Sequence, residues 1–180
     1  MQGQGAIGRE VTWRQGLIWL TRTAVLLALT LAFQMMGLPQ PVTGPVVNAM
    51  LLLSCIFVGP LGGVVVGLFT PWIAFVRGIL APPLGPMIPF ISLGNAVLVL
   101  VFGGIRYAGK KALLASIVGV IAGAVAKFLV LSSAVRMVVQ VPPPVAKAMQ
   151  TPQLVTALIG GAVALAVAQG LHKALPGKGR

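Results

Sequence analysis

The chain has 180 residues, of which 58% are hydrophobic and 8% charged, and its 13 Lys and Arg residues face a single acid, Glu10. A soluble domain carries roughly 25% charged residues, so the composition excludes a water-soluble protein and predicts one compact membrane domain. The net charge of +12 does not indicate a nucleic-acid partner, because the basic residues lie mostly between the apolar runs and form no single basic face.

A membrane-spanning helix needs about 20 apolar residues, and six apolar runs approach that length. A basic N-terminal segment, residues 1–16, precedes them, and the stretch "WRQGLIWL" (13–20) at its junction with the first run is typical of an interfacial helix. The predicted spans are residues 17–37, 45–58, 61–80, 87–105, 112–138 and 153–172. The sequence therefore predicts an all-α integral membrane domain over 17–172, with a basic tail at 173–180.

Three of the connections between spans are rich in proline and nearly uncharged. They read "GLPQPVTGP" (37–45), "APPLGPMIP" (81–89) and "VPPPVAKAMQTP" (141–152). The other two, "VGPLGG" (58–63) and "RYAGKK" (106–111), are shorter turns. Proline stiffens a loop, so the three proline-rich connections either cap a small-molecule site at one end of the bundle or only terminate helices.

Six spans place both termini on one side of the membrane. Nine of the 13 basic residues fall on that side: Arg9, Arg14, Arg22, Arg106, Lys110, Lys111, Lys173, Lys178 and Arg180. Cytoplasmic segments collect Lys and Arg, so we expect cytoplasmic termini, outer proline-rich loops and a multi-pass protein of a prokaryotic cell membrane.

The chain lacks the residues that most membrane chemistry requires. It has no Asp, one histidine (His172) and one cysteine (Cys55), whereas ion-coupled carriers need intramembrane acids and metal sites need clustered ligands. The stretch "GIRYAGKK" (104–111) approaches a phosphate loop, but Lys111 stands where a hydroxyl is required. We therefore predict no catalytic residue, metal or cofactor, and any ATP hydrolysis must come from another chain.

Three cations, Arg77, Lys127 and Arg136, fall within or beside the predicted spans. A cation at the bilayer centre costs at least about 2.5–3.5 kcal/mol, and residues that accept this cost tend to be functional. Lys127 is the strongest candidate for substrate contact, because it continues a four-residue spacing of small residues that marks a helix-packing face: Ala115, Gly119 and Gly123. Arg77 and Arg136 rank second and third, because both can snorkel to an interface.

Uncharged polar residues extend the candidate site. Gln34, Asn48 and Asn95 lie in the outer halves of their predicted spans, and Trp72 lies in span three, where it suits an interfacial belt equally well. A small-molecule site needs apolar walls with a few placed polar groups. The positive, acid-free interior favours an anionic ligand.

The stretch "GPLGGVVVGLFTPWIAFVRGILAPPLGPMIPFISLGNAVLVLVFGG" (59–104) resembles the middle region of the substrate-binding S components of energy-coupling factor (ECF) vitamin transporters. Six spans and an Ala-x-x-x-Ala strip in the first span, Ala24, Ala28 and Ala32, are similar to that family as well. The resemblance implies high-affinity binding of a vitamin or precursor. It also implies partnership with a transmembrane T component, which the alanine strip would contact, and with two ATPase subunits.

Other interpretations are compatible with the same residues. The chain could be a stand-alone channel or facilitator, or a structural subunit of a membrane complex that binds no ligand. The alanine strip could pack within the monomer instead of against a partner. The ligand stays open among riboflavin, biotin, pantothenate, folate, thiamine and other precursors.

Overall fold

A computed structural model of the chain describes the backbone of residues 3–174 and the side chains of residues 12–174. The α-helices of this range are α1 (Gly3–Met35), α2 (Gln40–Val58), α3 (Pro60–Val76), α4 (Ile88–Ala108), α5 (Ala112–Ser133), α6 (Pro143–Ala148) and α7 (Thr151–Ala174). A 3-10 segment, Pro82–Met87, leads into α4, and a π-helical turn, Ala134–Val138, extends α5. Five segments are long and apolar enough to cross a membrane, and α3 is a shorter apolar helix of 17 residues. The predicted all-α membrane fold is confirmed.

Five helices close into a ring. In order around it, α2 packs on α3, α3 on α4, α4 on α5, α5 on α7, and α7 on α2. Helix α1 lies outside this ring, against α2 and α3. Only one face of α1 is therefore covered by the rest of the chain.

That covered face of α1 is marked by buried polar residues. Thr23, Thr30 and Gln34 are buried, whereas Trp13 is 73% exposed. The hydroxyls of Thr23 and Thr30 donate to carbonyl oxygens one turn earlier in the helix, so neither needs an outside partner. The predicted interfacial helix at 13–20 is not a separate element, because α1 continues through residues 16 and 17 without a break.

Helix α2 begins inside the stretch that was expected to be a loop. The prediction for span two starts at residue 45, but the helix starts at Gln40 and contains Pro45. A proline disfavours helical backbone at the residue before it, and here that residue is Gly44, which has no Cβ to clash. The prediction was wrong because the first turn of a helix has unpaired N–H groups in any case and tolerates proline at Pro41.

Helix α3 ends four residues earlier than predicted. Gly78 adopts a left-handed φ of 72°, and its N–H donates to the carbonyl of Phe75. The N–H of Ile79 donates to the carbonyl of Ala74, which completes a Schellman stop. The chain therefore turns at Gly78, and Ile79 and Leu80 lead back over the end of the bundle.

The longest proline-rich connection contains helix α6, which the sequence analysis did not predict. Pro142 and Pro143 supply the fixed φ that favours a helix start. Met149, at the end of α6, is 4% exposed and packs in a small apolar cluster with Met87 and Leu131. This cluster holds α6 over the end of the ring.

The four-residue spacing in α5 marks a helix-packing face, as predicted, and the helix that packs on it is α4. A Cβ at Gly119 would lie 3.0 Å from the carbonyl oxygen of Phe102, and a Cβ at Gly123 would lie 2.8 Å from that of Leu98. Because both neighbours are backbone atoms, neither can give way easily. The two helices touch through their main chains, and Lys127 lies on the same buried face.

The main apolar core fills the half of the ring farthest from the proline-rich connections. Its buried members include Leu51 and Cys55 of α2, Leu98 and Phe102 of α4, and Val120 of α5. Cys55 is packed as a small hydrophobic residue, as its position in an apolar run predicts. The other half of the ring is not filled in this way.

The glycine contacts generate a stability prediction with a matched control. We expect Gly123→Ala to lower the free energy of unfolding by about 1–3 kcal/mol, because the new methyl group overpacks the α4–α5 interface. Gly104→Ala in α4 should leave stability unchanged or raise it, because nothing lies within 4 Å of its Cβ position and alanine favours helix. Thermal unfolding of the purified protein in detergent measures both, and equal melting temperatures for the two variants would contradict the proposed contact.

Candidate functional site

A cavity of about 470 Å³ lies at the end of the ring where the proline-rich connections meet. Each of the three connections lines it: Leu38 from the first, Leu84 from the second, and Val145 from the third. The remaining walls come from α2, α3, α4, α5 and the start of α7. The three connections are thus gathered around one cavity.

Lys127 of α5 lies in the wall of this cavity and is 3% exposed. Its Nζ donates a hydrogen bond of 2.7 Å to Oδ1 of Asn48 on α2 and one of 2.8 Å to Oδ1 of Asn95 on α4. One ammonium group therefore joins three helices of the ring. We call these residues the Lys127 triad: Lys127, Asn48 and Asn95.

The two asparagines are themselves fixed by backbone carbonyls. Nδ2 of Asn48 donates to the carbonyl of Gly44 at 2.9 Å, and Nδ2 of Asn95 donates to that of Gly67 at 3.1 Å. Because each amide nitrogen is engaged, each amide oxygen must face the lysine. The acceptors are in place before any ligand arrives, and no rearrangement is needed to hold the charge.

The "LGN" stretch of α4 serves the lysine in two ways. Asn95 accepts from Nζ, and Gly94 makes room for the aliphatic stem, since a Cβ there would lie 3.3 Å from Cγ of Lys127. Gly67 of α3 likewise lets Asn95 approach, because a Cβ at Gly67 would lie 3.0 Å from Cβ of Asn95. Glycine at these two positions lets α3, α4 and α5 come close enough for the triad to form.

The ammonium group of Lys127 donates two hydrogen bonds, but no acid neutralises its charge. Residues 12–174 contain no Asp or Glu, so both of its partners are neutral amides. An ammonium has three protons, and within the described residues only two of them have acceptors. The cavity wall thus presents one available donor and one positive charge.

Gln34, near the end of α1, also lines the cavity and is 8% exposed. Its Oε1 is buried and has no hydrogen-bond partner among the described residues. A buried acceptor without a partner costs roughly 1–3 kcal/mol, so such an atom needs a specific explanation. Thr70 of α3 is a further lining residue whose hydroxyl donates to the carbonyl of Val66 at 2.6 Å.

Arg77, Arg136 and Trp72 lie outside the cavity. Arg77 caps the end of α3 just before Gly78 and is exposed, because the chain turns inward only after Gly78. Arg136 is exposed in the π-helical turn and donates to Oε1 of Gln150 at 3.0 Å. Trp72 is 48% exposed on the outside of α3. The structure therefore brings together Lys127, Asn48, Asn95 and Gln34, and separates the other three predicted residues from them.

A family model described as the substrate-specific component of ECF transporters matches residues 19–171, nearly the whole described chain. The chain belongs to this family. No curated protein and no solved structure matches it. An S component is a transport-specificity subunit and not an enzyme, and it works with a T component and ATPase subunits in the prokaryotic plasma membrane. Membership of this family supports the substrate-binding subunit over a stand-alone channel or a structural subunit without a ligand.

The alanine strip of this S component lies on the uncovered face of α1. Ala24, Ala28 and Ala32 are all exposed, whereas Thr23, Thr30 and Gln34 on the other face are buried. The strip therefore does not pack against the rest of this chain. Its neighbours on the exposed face are large apolar side chains, such as Val25 and Leu29.

Sequence reasoning missed several lining residues of the S component's cavity. Thr43, Thr70 and Gln153 are polar, and the aliphatic wall includes Ile79, Leu80, Leu84 and Met149. Gly78 after Arg77 was the sequence signal that could have placed Ile79 and Leu80 at the cavity, because a glycine just after a helix indicates a left-handed helix stop. The wall contributed by α6 had no comparable local signal.

The hydrogen bonds of the triad generate a prediction about stability. We expect Asn95→Leu to lower the free energy of unfolding by about 1.5–3 kcal/mol, because the buried ammonium loses one of its two acceptors. In a Lys127→Met background the same substitution should cost clearly less, because no charge is left to stabilise. The double-mutant cycle, measured by unfolding in detergent, isolates the lysine–asparagine interaction from the bond to Gly67. A coupling energy of zero would show that the two side chains act independently.

Proposed function

We propose that this S component binds a vitamin or related micronutrient with an anionic group, with high affinity, for an ATP-driven importer. The observation that carries the proposal is a buried lysine in the wall of a cavity, held by two neutral amides, with no carboxylate in residues 12–174. A cation in this setting is costly for a protein that only packs helices. An anionic ligand would offset that cost.

The size and lining of the cavity support a ligand of vitamin size. Sites for small molecules typically occupy about 300–1,000 Å³ and combine apolar walls with a few polar groups. The cavity here measures about 470 Å³, and its polar lining residues include Lys127, Asn48, Asn95, Gln34 and Thr70. The substrate-binding residues in this proposal are the Lys127 triad and Gln34. Arg77, Arg136 and Trp72 lie outside the cavity and play no part in it.

The placement of the polar groups supports electrostatic selection of an anionic ligand. A charge that is shielded from water interacts more strongly with an opposite charge than it would at a surface. The asparagines orient the ammonium without cancelling its charge, so the ligand itself supplies the counter-charge. The distribution of Lys and Arg supports a topology in which this end of the ring faces outward and the substrate enters from outside the cell.

Transport requires the partner subunits, because the chain carries no sign of an energy source. The exposed alanine strip of α1 is the surface we propose for the T component. Small residues four apart let another helix approach closely, and burying them leaves no polar group without a partner when the contact is released. The large apolar residues beside the strip, such as Val25 and Leu29, would add apolar contacts to such a helix.

Reconstitution tests the function directly. We expect vesicles that contain the chain alone to bind substrate without accumulating it, and ATP-dependent uptake to appear only when T and ATPase subunits are added. The measurement is uptake of labelled compound with ATP, without ATP, and with the chain alone. Full-rate accumulation by the chain alone would instead indicate a stand-alone facilitator.

A variant pair supplies the control for the binding arm of this test. Lys127→Met should weaken substrate binding by tenfold or more, because it removes the charge and the available donor. Lys110→Met, at the opposite end of the bundle, should leave the dissociation constant unchanged, because Lys110 is exposed and outside the cavity. Equal affinities for the two variants would remove Lys127 from the site.

The partner surface has its own prediction. We expect Ala28→Leu to weaken assembly with the T component by several-fold while substrate binding by the isolated chain stays unchanged, because a larger side chain holds the partner helix away. Ala166→Leu is the matched control, since Ala166 is an exposed alanine on α7. Co-purification of the T component measures assembly. The proposal fails if the two variants assemble equally well, or if Ala28→Leu loses substrate binding while assembly is unchanged.

A further inference from the structure

The apolar wall of the cavity is aliphatic throughout. Among the described residues that line it there is no Phe, Tyr or Trp. The apolar contacts come from side chains such as Leu38, Val47, Pro71, Ile79, Ile91 and Met149. Flat aromatic ligands gain affinity from offset or edge-to-face contacts with aromatic side chains, and this wall offers none.

Two aromatic residues near this end of α3, Trp72 and Phe75, lie outside the cavity. Trp72 is 48% exposed on the outer surface of the bundle. The ring of Phe75 packs against the second proline-rich connection, where a Cβ at Gly85 would lie 3.1 Å from it. Neither side chain lines the cavity, so the absence of stacking surface follows from how the chain packs.

Polar and apolar groups come from different parts of the cavity wall. Four polar lining residues of the ring helices are almost fully buried: Lys127, Asn48, Asn95 and Thr70 are 1–3% exposed. The proline-rich connections supply mainly apolar residues, including Leu38, Pro83 and Leu84. A ligand that matches this distribution places its charged end against the ring helices and its apolar body against the connections.

The cavity also requires a hydrogen-bond donor on the ligand. Oε1 of Gln34 has no partner among the described residues and can only accept. Thr70 has already given its hydroxyl proton to Val66, so towards the cavity it too is an acceptor. Lys127 presents a donor, whereas these two residues present acceptors.

We infer that the substrate is a mainly aliphatic molecule without an aromatic ring, with an anionic end for Lys127 and a separate N–H or O–H donor for Gln34. This inference rests on the proposed function, and it narrows the substrate to one chemical class. An aliphatic carboxylate that carries an amide, ureido or hydroxyl group fits all three requirements. A flavin or a pterin does not.

Native mass spectrometry of retained compounds tests this class. Purified chain is incubated with a small-molecule extract of rich growth medium, supplemented with equimolar biotin, pantothenate, riboflavin, folate and thiamine. We expect the retained compound to be an aliphatic acid, as biotin and pantothenate are. Retention of a compound with an aromatic ring would overturn the inference and leave the proposed function intact. Retention of nothing would overturn the proposed function, and the inference with it.

A second measurement tests the role of Gln34, using the retained compound. Gln34→Met should weaken its binding roughly three- to tenfold, the effect of losing one hydrogen bond. The melting temperature of the ligand-free variant should not fall, because the substitution removes a buried acceptor that has no partner. Gln169→Met, at an exposed glutamine of α7, should change neither quantity. An unchanged dissociation constant in a folded Gln34→Met variant would show that the ligand does not donate to Gln34.

Discussion

A lysine buried in a membrane domain without any acid to pair with is the constraint on which the rest of the structure depends. Its charge must therefore be stabilised by neutral dipoles. Helices α2 and α4 each supply one asparagine oxygen within 2.8 Å of Nζ. Those oxygens reach Nζ only because glycines let the helices approach: Gly67 and Gly94 adjoin Asn95 and the lysine stem. The need to hold one ammonium therefore fixes how closely α2, α4 and α5 pack at mid-depth.

The Lys127 triad lies between two halves of the bundle that have different roles. On one side the ring is filled by an apolar core around Leu51 and Phe102, where α4 and α5 touch main chain to main chain. On the other side the ring stays open, and the proline-rich connections cover a cavity. The core supplies the rigidity that keeps the triad in place, and the connections supply most of the aliphatic wall. Outside the ring, α1 brings Gln34 to the cavity on one face and shows the alanine strip on the other.

Local sequence signals predicted most of the fold. The six apolar runs correspond to the six long helices of the bundle, and the glycine spacing of α5 marked the face that packs on α4. The errors fell at helix ends near proline and glycine. Gly44 allowed α2 to begin before Pro45, Gly78 stopped α3 early, and α6 formed where only a loop was expected. The first two depend on backbone conformations that a proline or glycine permits but does not dictate. The last depends on the burial of Met149 by residues far away in the chain.

The sequence by itself determined that this is a membrane protein, that it has no acid to pair with Lys127, and that Lys127 faces the bundle, because composition and helical period are properties of the chain alone. It could not determine which candidate residues line the cavity, since Arg77, Arg136 and Trp72 have the same chemistry whether a helix end turns them inward or outward. Only the tertiary structure decided that Asn48, Asn95 and Gln34 meet the lysine at one cavity with aliphatic walls. Those residues lie on four different helices, and their meeting depends on how the ring closes, which no local pattern encodes.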